Sequence, residues 1–304
     1  MALPRTDPTV FRRTAGAAVL ALSAIVVTGG AVRLTSSGLG CPTWPRCTDS
    51  SFVSQPEYAA HGLIEFGNRV VTVLVFLLIA ALLVQVFRLP QRRTDLAWLS
   101  GGLLAGYVGQ AVLGGLTVLY DLAAPLVIGH FLLSMLLLLD AVVLYARTGP
   151  RGQAGPATPR QLPWLAWLLA GTAALVLVAG TVVTGAGPHS GGSLHTPRLA
   201  VSIRGVAQLH ADLAMLLTGL VVATVVTVHA VPASAAVRRA AGWLGALVVG
   251  QAALGFTQYF LGVPVGLVGL HIAGATAIWV VSLRLALALP GRDAGRSTAT
   301  AAAG

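Results

Sequence analysis

Histidines are the side chains in this sequence whose spacing most clearly suggests chemistry. Seven are present among 304 residues, and four of them recur at comparable places along the chain: His61, His130, His210 and His271. Neutral imidazole is a common ligand of iron, and it can also transfer protons near neutral pH. We expect the other three to be mainly solvated or interfacial, because they fall in a loop or at a helix end: His189, His195 and His229.

A stripe of polar residues surrounds the first of these histidines at intervals of four: Glu57, His61, Glu65 and Arg69. On one helix this spacing drifts by only about 40° per step, so all four side chains would line one face. Glu65 and Arg69 can simply neutralise each other as an i,i+4 ion pair in an apolar setting. Alternatively, a desolvated carboxylate at Glu65 can transfer protons or stabilise a developing cation on a substrate.

Cys41 and Cys47 are the only two cysteines of the chain, and they flank the segment Pro-Thr-Trp-Pro-Arg. Two thiols without a nearby third ligand do not make a metal site. Because the segment falls in a predicted outer loop, where conditions are oxidising, we expect a disulfide. The spacing leaves open whether such a disulfide only staples the loop or also exchanges with other thiols.

The elements that must hold these side chains are membrane-spanning helices. Hydrophobic residues make up 56% of the chain and charged residues only 9%, whereas average chains are about 25% charged. A soluble globular enzyme is therefore excluded, and lipid rather than nucleic acid is the expected surrounding. A helix needs about 20 apolar residues to cross a membrane, and eight such stretches occur, near 14–32, 63–87, 95–119, 126–146, 163–184, 204–230, 240–261 and 265–289.

Arginines predict the orientation of these helices. One set of connections and the two termini hold thirteen of them: Arg5, Arg12, Arg13, Arg88, Arg92, Arg93, Arg147, Arg151, Arg160, Arg238, Arg239, Arg292 and Arg296. The opposite connections hold four: Arg33, Arg46, Arg198 and Arg204. Because basic residues accumulate on the cytoplasmic side, we predict a multi-pass protein of the cell membrane with both termini in the cytoplasm. The four recurrent histidines, in the first turns of the even-numbered helices, then lie near the outer face.

Internal similarity predicts a duplication. Gly-Gln-Ala-Val-Leu-Gly at 109–114 matches Gly-Gln-Ala-Ala-Leu-Gly at 250–255, and the same offset of 141 residues maps His130 onto His271. Long outer loops, near 33–60 and 185–203, also precede the second and the sixth helix. We therefore predict an all-α integral membrane fold of two parallel four-helix-bundle repeats, with domains at 1–150 and 151–304.

Each predicted half has two histidines on its even-numbered helices. Paired histidines on facing helices of a four-helix bundle can hold a heme between them, so two heme-sized sites are expected. The halves differ chemically, because Ala207-Gln208-Leu209-His210 has no carboxylate where the first half has Glu65. The first half is thus predicted to perform a reaction and the second to hold a cofactor.

The chain resembles the heme A synthases over nearly its whole length. The residues that carry the resemblance are Arg-Leu-Thr-Ser-Ser-Gly-Leu-Gly-Cys-Pro-Thr-Trp-Pro-Arg-Cys at 33–47, Ile-Glu-Phe-Gly-Asn-Arg at 64–69 and Val-Thr-Gly-Ala-Gly-Pro-His at 183–189. The resemblance implies an oxidoreductase that makes heme A for cytochrome oxidase. Such an enzyme oxidises the C8 methyl group of heme O to a formyl group through a hydroxymethyl intermediate.

The resemblance also implies roles for individual residues. His210 and His271 match the ligands of a heme b cofactor in the C-terminal half. Glu65 matches the catalytic glutamate, and His130, together with Arg69, belongs to the site for the substrate heme in the N-terminal half. The implied partners are heme O, a quinol or other electron donor, and the farnesyltransferase that makes heme O.

One position departs from the family pattern, which commonly reads Glu-x-x-His-Arg. Here Asn68 stands in place of the histidine. His61 precedes it by seven residues, on nearly the same helical face and about 10 Å nearer the outside. Either His61 acts as the substitute ligand, which we favour, or Asn68 leaves the substrate iron five-coordinate.

A different class of function is also compatible with the histidine pattern. A cytochrome b-like subunit would hold two permanent hemes and pass electrons between quinol and a partner. A transporter is a third and weaker hypothesis. The pigments bound to the purified protein distinguish the first two, because only a synthase holds heme O and heme A beside heme B.

Overall fold

The computed structural model describes residues 5–149, 159, 161–189, 196 and 198–289, and within them the fold is entirely helical. The prediction of eight helices long and apolar enough to cross a membrane is confirmed. Their bounds are α1 Pro8–Leu34, α2 Ala59–Phe87, α3 Thr94–Leu119, α4 Ala124–Arg147, α5 Gln161–Ala186, α6 Ile203–Ala230, α7 Ala235–Phe260 and α8 Val265–Ala288, with a short 3-10 turn at Pro56–Tyr58.

Capping residues explain why some helices begin earlier than their apolar stretches. The Asp7 carboxylate accepts a hydrogen bond from the Thr9 amide at 2.7 Å, so α1 starts at Pro8, six residues before the predicted span. Hydrogen bonds from the hydroxyl and the amide of Thr9 also lower the pKa of Asp7. Ser234 caps α7 in the same way, through the Val237 amide at 3.3 Å. These caps satisfy amides that the first turn leaves unpaired, and the helices therefore extend into their polar flanks.

Apolar side chains are divided between the interior of the bundle and its outer surface. Leu103 and Leu138 are fully buried between helices, whereas Trp98 on α3 is 82% exposed on the outside. Helices that face lipid are expected to expose large apolar side chains on their outer side. Inside, the Trp279 indole of α8 donates to the Met135 carbonyl of α4 at 3.0 Å, which ties the two halves of the chain together.

Three of the arginine-rich segments lie at one end of the bundle. The Thr6 amide donates to the Arg88 carbonyl at 2.8 Å, and the Arg93 guanidinium donates to the Arg147 carbonyl at 3.0 Å. The N-terminus, the α2–α3 connection and the end of α4 therefore meet on the same side. Four arginines of the topology argument lie outside the described residues: Arg151, Arg160, Arg292 and Arg296. That this end faces the cytoplasm stays a prediction.

The turns before α4 and α8 have the same geometry. In the first, the Leu122 amide donates to the Thr117 carbonyl at 2.7 Å; in the second, the Val263 amide donates to the Gln258 carbonyl at 2.8 Å. The two donors are 141 residues apart, and so are the two acceptors, which is the offset of the sequence match. This recurrence supports the predicted duplication, which itself stays a prediction.

Candidate functional site

Two of the recurrent histidines face each other inside the bundle. The imidazole rings of His210 on α6 and His271 on α8 have centroids 6.2 Å apart and planes inclined by 58°. A metal ion bound between two imidazoles has metal–nitrogen bonds of about 2 Å each, which puts the ring centres roughly 6 Å apart once the ring radii are added. The spacing therefore fits one iron with a histidine ligand on each side.

A hydrogen bond orients the first of these rings. Nδ1 of His210 lies 3.1 Å from the Val176 carbonyl on α5, and because a carbonyl can only accept, Nδ1 carries the proton. Nε2 then has the lone pair that a metal needs, and no described residue bonds to it. Metal-binding histidines usually donate their other nitrogen to such an acceptor, which fixes both tautomer and orientation.

Glycines on neighbouring helices lie against three of the imidazoles and make room for two of them. A β-carbon added to Gly180 on α5 would lie 3.1 Å from Cε1 of His210. The corresponding distance is 3.0 Å between Gly114 on α3 and His130. For His271 the neighbour is Gly255 on α7, at 3.8 Å. The rings of His210 and His130 therefore pack so closely against the adjacent odd-numbered helix that a side chain would compete for the space, whereas Gly255 lies at an ordinary contact distance from His271.

Two glutamines hold the backbone of the histidine helices. The Gln110 side-chain amide donates to the His130 carbonyl at 2.8 Å, and that of Gln251 donates to the His271 carbonyl, also at 2.8 Å. Sequence reasoning used their Gly-Gln-Ala-x-Leu-Gly segments only as a sign of duplication and missed this positioning role. The signal was present, because each glutamine precedes its histidine by twenty residues in both halves.

The N-terminal half is arranged differently around its histidine. Nδ1 of His130, like Nδ1 of His271, is buried and has no hydrogen-bond partner among the described residues, so the difference lies in the second ring. His61 is exposed, with Nδ1 3.0 Å from the Ser37 hydroxyl, and Asn68 accepts a hydrogen bond from the Thr28 hydroxyl of α1 at 2.8 Å. In the described part of the chain no ring contact joins His61 to His130. The choice between His61 and Asn68 therefore stays a prediction.

Glu65 is anchored from two sides near the N-terminal end of α2. It is only 5% exposed. One carboxylate oxygen accepts the Cys41 amide at 2.7 Å and the other accepts the Arg69 guanidinium at 2.6 Å. The i,i+4 ion pair considered from the sequence is thus present, and the carboxylate also fixes the start of the disulfide loop.

Arg69 extends this anchorage along the loop. Its guanidinium donates to the carbonyls of Cys41, Thr43 and Arg46 at 3.0 to 3.1 Å. The polar stripe on α2 is shorter than predicted, because Glu57 lies exposed in the 3-10 turn and α2 begins only at Ala59.

The predicted disulfide between Cys41 and Cys47 is present, with both residues buried. It closes the loop whose backbone forms hydrogen bonds with Glu65 and Arg69 of α2. A covalent staple of this kind restricts the unfolded loop and keeps its carbonyls and amides available for these two side chains.

The two other described histidines, His189 and His229, make no ring contact with this pair. His229 is exposed and donates to the Val225 carbonyl of its own helix at 2.8 Å. His189 is half-buried and donates through Nε2 to the Val263 carbonyl in the α7–α8 turn at 2.9 Å. His195 lies outside the described residues. Both described side chains therefore use a ring nitrogen on a backbone carbonyl, His229 within its own helix and His189 in a distant turn.

Comparison with known proteins gives a consistent result. The model of the COX15-CtaA family, described as cytochrome oxidase assembly protein, matches residues 12–283. The chain is 32% identical to the heme A synthase of Symbiobacterium thermophilum, over 95% of this chain and 97% of that protein. It is also 29% identical to the heme A synthase of Geobacillus kaustophilus, over 44% of this chain and 45% of that protein. The chain therefore belongs to the COX15-CtaA family of cytochrome oxidase assembly proteins.

Proposed function

We propose that this protein is a heme A synthase, a membrane oxidoreductase that converts heme O to heme A. The reaction oxidises the C8 methyl group to a formyl group through a hydroxymethyl intermediate. The observation that carries the proposal is the facing pair His210 and His271, whose 6.2 Å ring separation would allow both imidazoles to hold one iron. The names of the similar proteins support the same activity.

The C-terminal half, residues 151–304, is the proposed cofactor half. His210 and His271 would hold heme b there, with Gly180 leaving room for the His210 ring. Heme b bound at this place supplies one-electron redox chemistry. The Val176 carbonyl would orient the His210 ring for the cofactor. Gln251 would hold the backbone of α8 at His271, whose Nδ1 atom has no hydrogen-bond partner among the described residues.

The N-terminal half, residues 1–150, is the proposed substrate half. His130 binds the iron of heme O, and His61 serves as its partner in place of the histidine that Asn68 replaces. The Ser37 hydroxyl beside Nδ1 of His61 supports this role, because it can fix the ring tautomer. The two halves form parallel repeats in this proposal: the first converts the substrate heme, and the second keeps the cofactor heme bound.

Glu65 is the proposed catalytic residue. Each oxidation step removes two electrons and breaks a C–H bond at the methyl carbon, with the oxygen atom supplied by dioxygen or water and the electrons taken by an acceptor outside this chain. A carboxylate close to that carbon can accept the proton released. Because the Cys41 amide and Arg69 hold its two oxygens, the carboxylate has one fixed orientation in the site. Arg69 and the disulfide loop thereby act as positioning groups for Glu65.

The proposed setting is the cell membrane, with both termini in the cytoplasm and both heme sites near the outer face. Heme O then enters laterally from the lipid, delivered by the farnesyltransferase that makes it. A quinol or another donor exchanges electrons with the cofactor half.

Replacing Gln251 with leucine should weaken heme binding in the cofactor half by about tenfold, within the range seen when groups that orient a ligand are lost. The His271 carbonyl would lose its side-chain donor, and with it the hydrogen bond that joins α7 to α8 at His271. Heme titration of the apoprotein, followed by absorbance, measures the change. Thr257→Val on the same helix is the matched control, because its hydroxyl bonds only to its own helix. Unchanged affinity in Gln251→Leu would contradict the positioning role.

The pigments of the purified protein test the proposed function against the cytochrome alternative. Extraction should yield heme B together with heme O and heme A, since substrate and product share the N-terminal site. Heme B alone, at about two per chain, would instead indicate a di-heme cytochrome b-like subunit and overturn the proposal.

A further inference from the structure

Arg33 is a cation without a countercharge at the outer end of α1. Its side chain is half-buried, and its Nε atom is sealed from solvent without a hydrogen-bond partner. The described ion pairs are Arg69–Glu65 and Arg93–Asp95, so no described acid neutralises Arg33. The stretches outside the described residues contain a single acid, Asp293, which follows the far end of α8 in the sequence.

One hydrogen bond to the backbone satisfies only part of the donor capacity of the Arg33 guanidinium. Nη2 of Arg33 donates to the Thr184 carbonyl near the end of α5 at 3.0 Å. A cation at a helix C-terminus is favourable, which explains that single bond. A guanidinium has five N–H donors, however, and a buried donor left unpaired is destabilising. Of these donors Nε is the one sealed from solvent without a partner, and a charge-assisted bond to an anionic acceptor would satisfy it.

Neighbouring contacts place this cation just outside the ring pair. On α5, Thr184 lies one turn beyond Gly180, which packs against His210. On α1, Gly30 lies one turn before Arg33, and a β-carbon there would lie 3.1 Å from the side chain of Ile272, the neighbour of His271. One helical turn corresponds to about 5 Å along the axis. Arg33 therefore lies about one turn outward from the histidines.

We infer that Arg33 binds a propionate carboxylate of the porphyrin held between His210 and His271; this inference rests on the proposed function. Hemes carry two propionates on one edge of the macrocycle. A guanidinium binds a carboxylate through charge-assisted, often bidentate hydrogen bonds. A partly buried carboxylate in turn needs a paired cation. Arg33 thus determines which edge of the cofactor points outward, and it does so from the other half of the chain.

The test compares a porphyrin with and without free carboxylates. The full-length protein, produced in cells that cannot make heme, is titrated with iron protoporphyrin IX and with its dimethyl ester. A His130→Ala background restricts the titration to the C-terminal site. Because both ligands partition into the same detergent, the ratio of their affinities is compared between variants rather than the affinities themselves.

Arg33→Gln should lower the preference for the free acid over the ester by about tenfold, the range expected for one charge-assisted hydrogen-bond pair. Binding of the ester should change by less than about twofold. Arg33→Lys should retain part of the preference, since the charge remains while the planar fork is lost. Arg198→Gln is the matched control, because Arg198 is another outer arginine on a backbone carbonyl, that of Pro188 at 3.4 Å.

The reduction potential of the bound heme gives a second readout. It should fall in Arg33→Gln, because a nearby cation favours the reduced iron. An unchanged preference for the free acid, or an equal loss for both ligands, would overturn the inference and leave Arg33 as a cap of α5. Failure of the parent protein to bind either porphyrin would instead count against the proposed function.

Discussion

The His271→Ala variant should be purified without the b-type heme that we propose for the C-terminal half. The two imidazoles lie 6.2 Å apart, and removal of one leaves the iron with a single protein ligand. Loss of a group that merely orients a metal ligand already lowers affinity by about 10- to 100-fold, so loss of the ligand itself should reduce heme content by at least that factor. His210→Ala should have the same effect.

Heme content per chain, measured by reduced-minus-oxidised spectra against protein concentration, is the readout for these variants. The matched control is His229→Ala, because His229 lies on the same helix as His210 but is exposed and bonds only to its own helix. Thermal stability should fall together with heme content, since a bound cofactor stabilises the folded state by mass action. A His271→Ala protein that keeps a full complement of b-type heme would contradict the assignment of this pair.

The second large effect is expected for Glu65→Gln, which should stop heme A formation while heme b stays bound. General acid–base groups contribute about 10²- to 10⁴-fold to rates, and the amide cannot accept the proton. The amide oxygen can still accept the Cys41 hydrogen bond, so the loop keeps one of its two anchors. The product is measured as heme A extracted from cells that have no other heme A synthase.

Retention of heme O separates catalysis from anchorage in this variant. If Glu65 acts on the substrate, Glu65→Gln should accumulate bound heme O. If Glu65 only anchors the disulfide loop through Cys41 and Arg69, the variant should lose heme O instead. Glu57→Gln is the control, because Glu57 is exposed in the 3-10 turn before α2. Normal heme A production by Glu65→Gln would exclude the catalytic role.

The helices were the part of the fold most open to prediction from the sequence. An apolar stretch of about 20 residues has few alternatives to a membrane-spanning helix, because lipid offers no hydrogen bonds to the backbone. Their ends were less predictable, since Asp7 and Ser234 extend α1 and α7 into polar segments that hydropathy does not count. Glu57 was wrongly placed on α2 for the opposite reason: a spacing of four suits a helix, but the chain turns before Ala59.

The candidate site was predictable in its residue types and less so in its contacts. Histidines and a lone glutamate in apolar helices stand out by chemistry alone, and the cysteine pair has one obvious partner choice. That Glu65 bonds to the Cys41 amide depends on how a loop folds back onto α2, which spacing does not encode. The roles of Gln251 and Arg33 depend on contacts between helices that are distant in sequence, and such contacts emerge only once the helices are packed.

The central claim is that this chain converts heme O to heme A, and heme analysis of whole cells tests it most directly. The chain is produced in a bacterial strain that makes heme O but has no heme A synthase of its own, and extracted hemes are separated by chromatography. We predict that heme A forms and that heme O declines, compared with the same strain carrying an empty vector. Unchanged heme O and no heme A, from cells in which the chain is in the membrane with bound heme B, would contradict the proposed function.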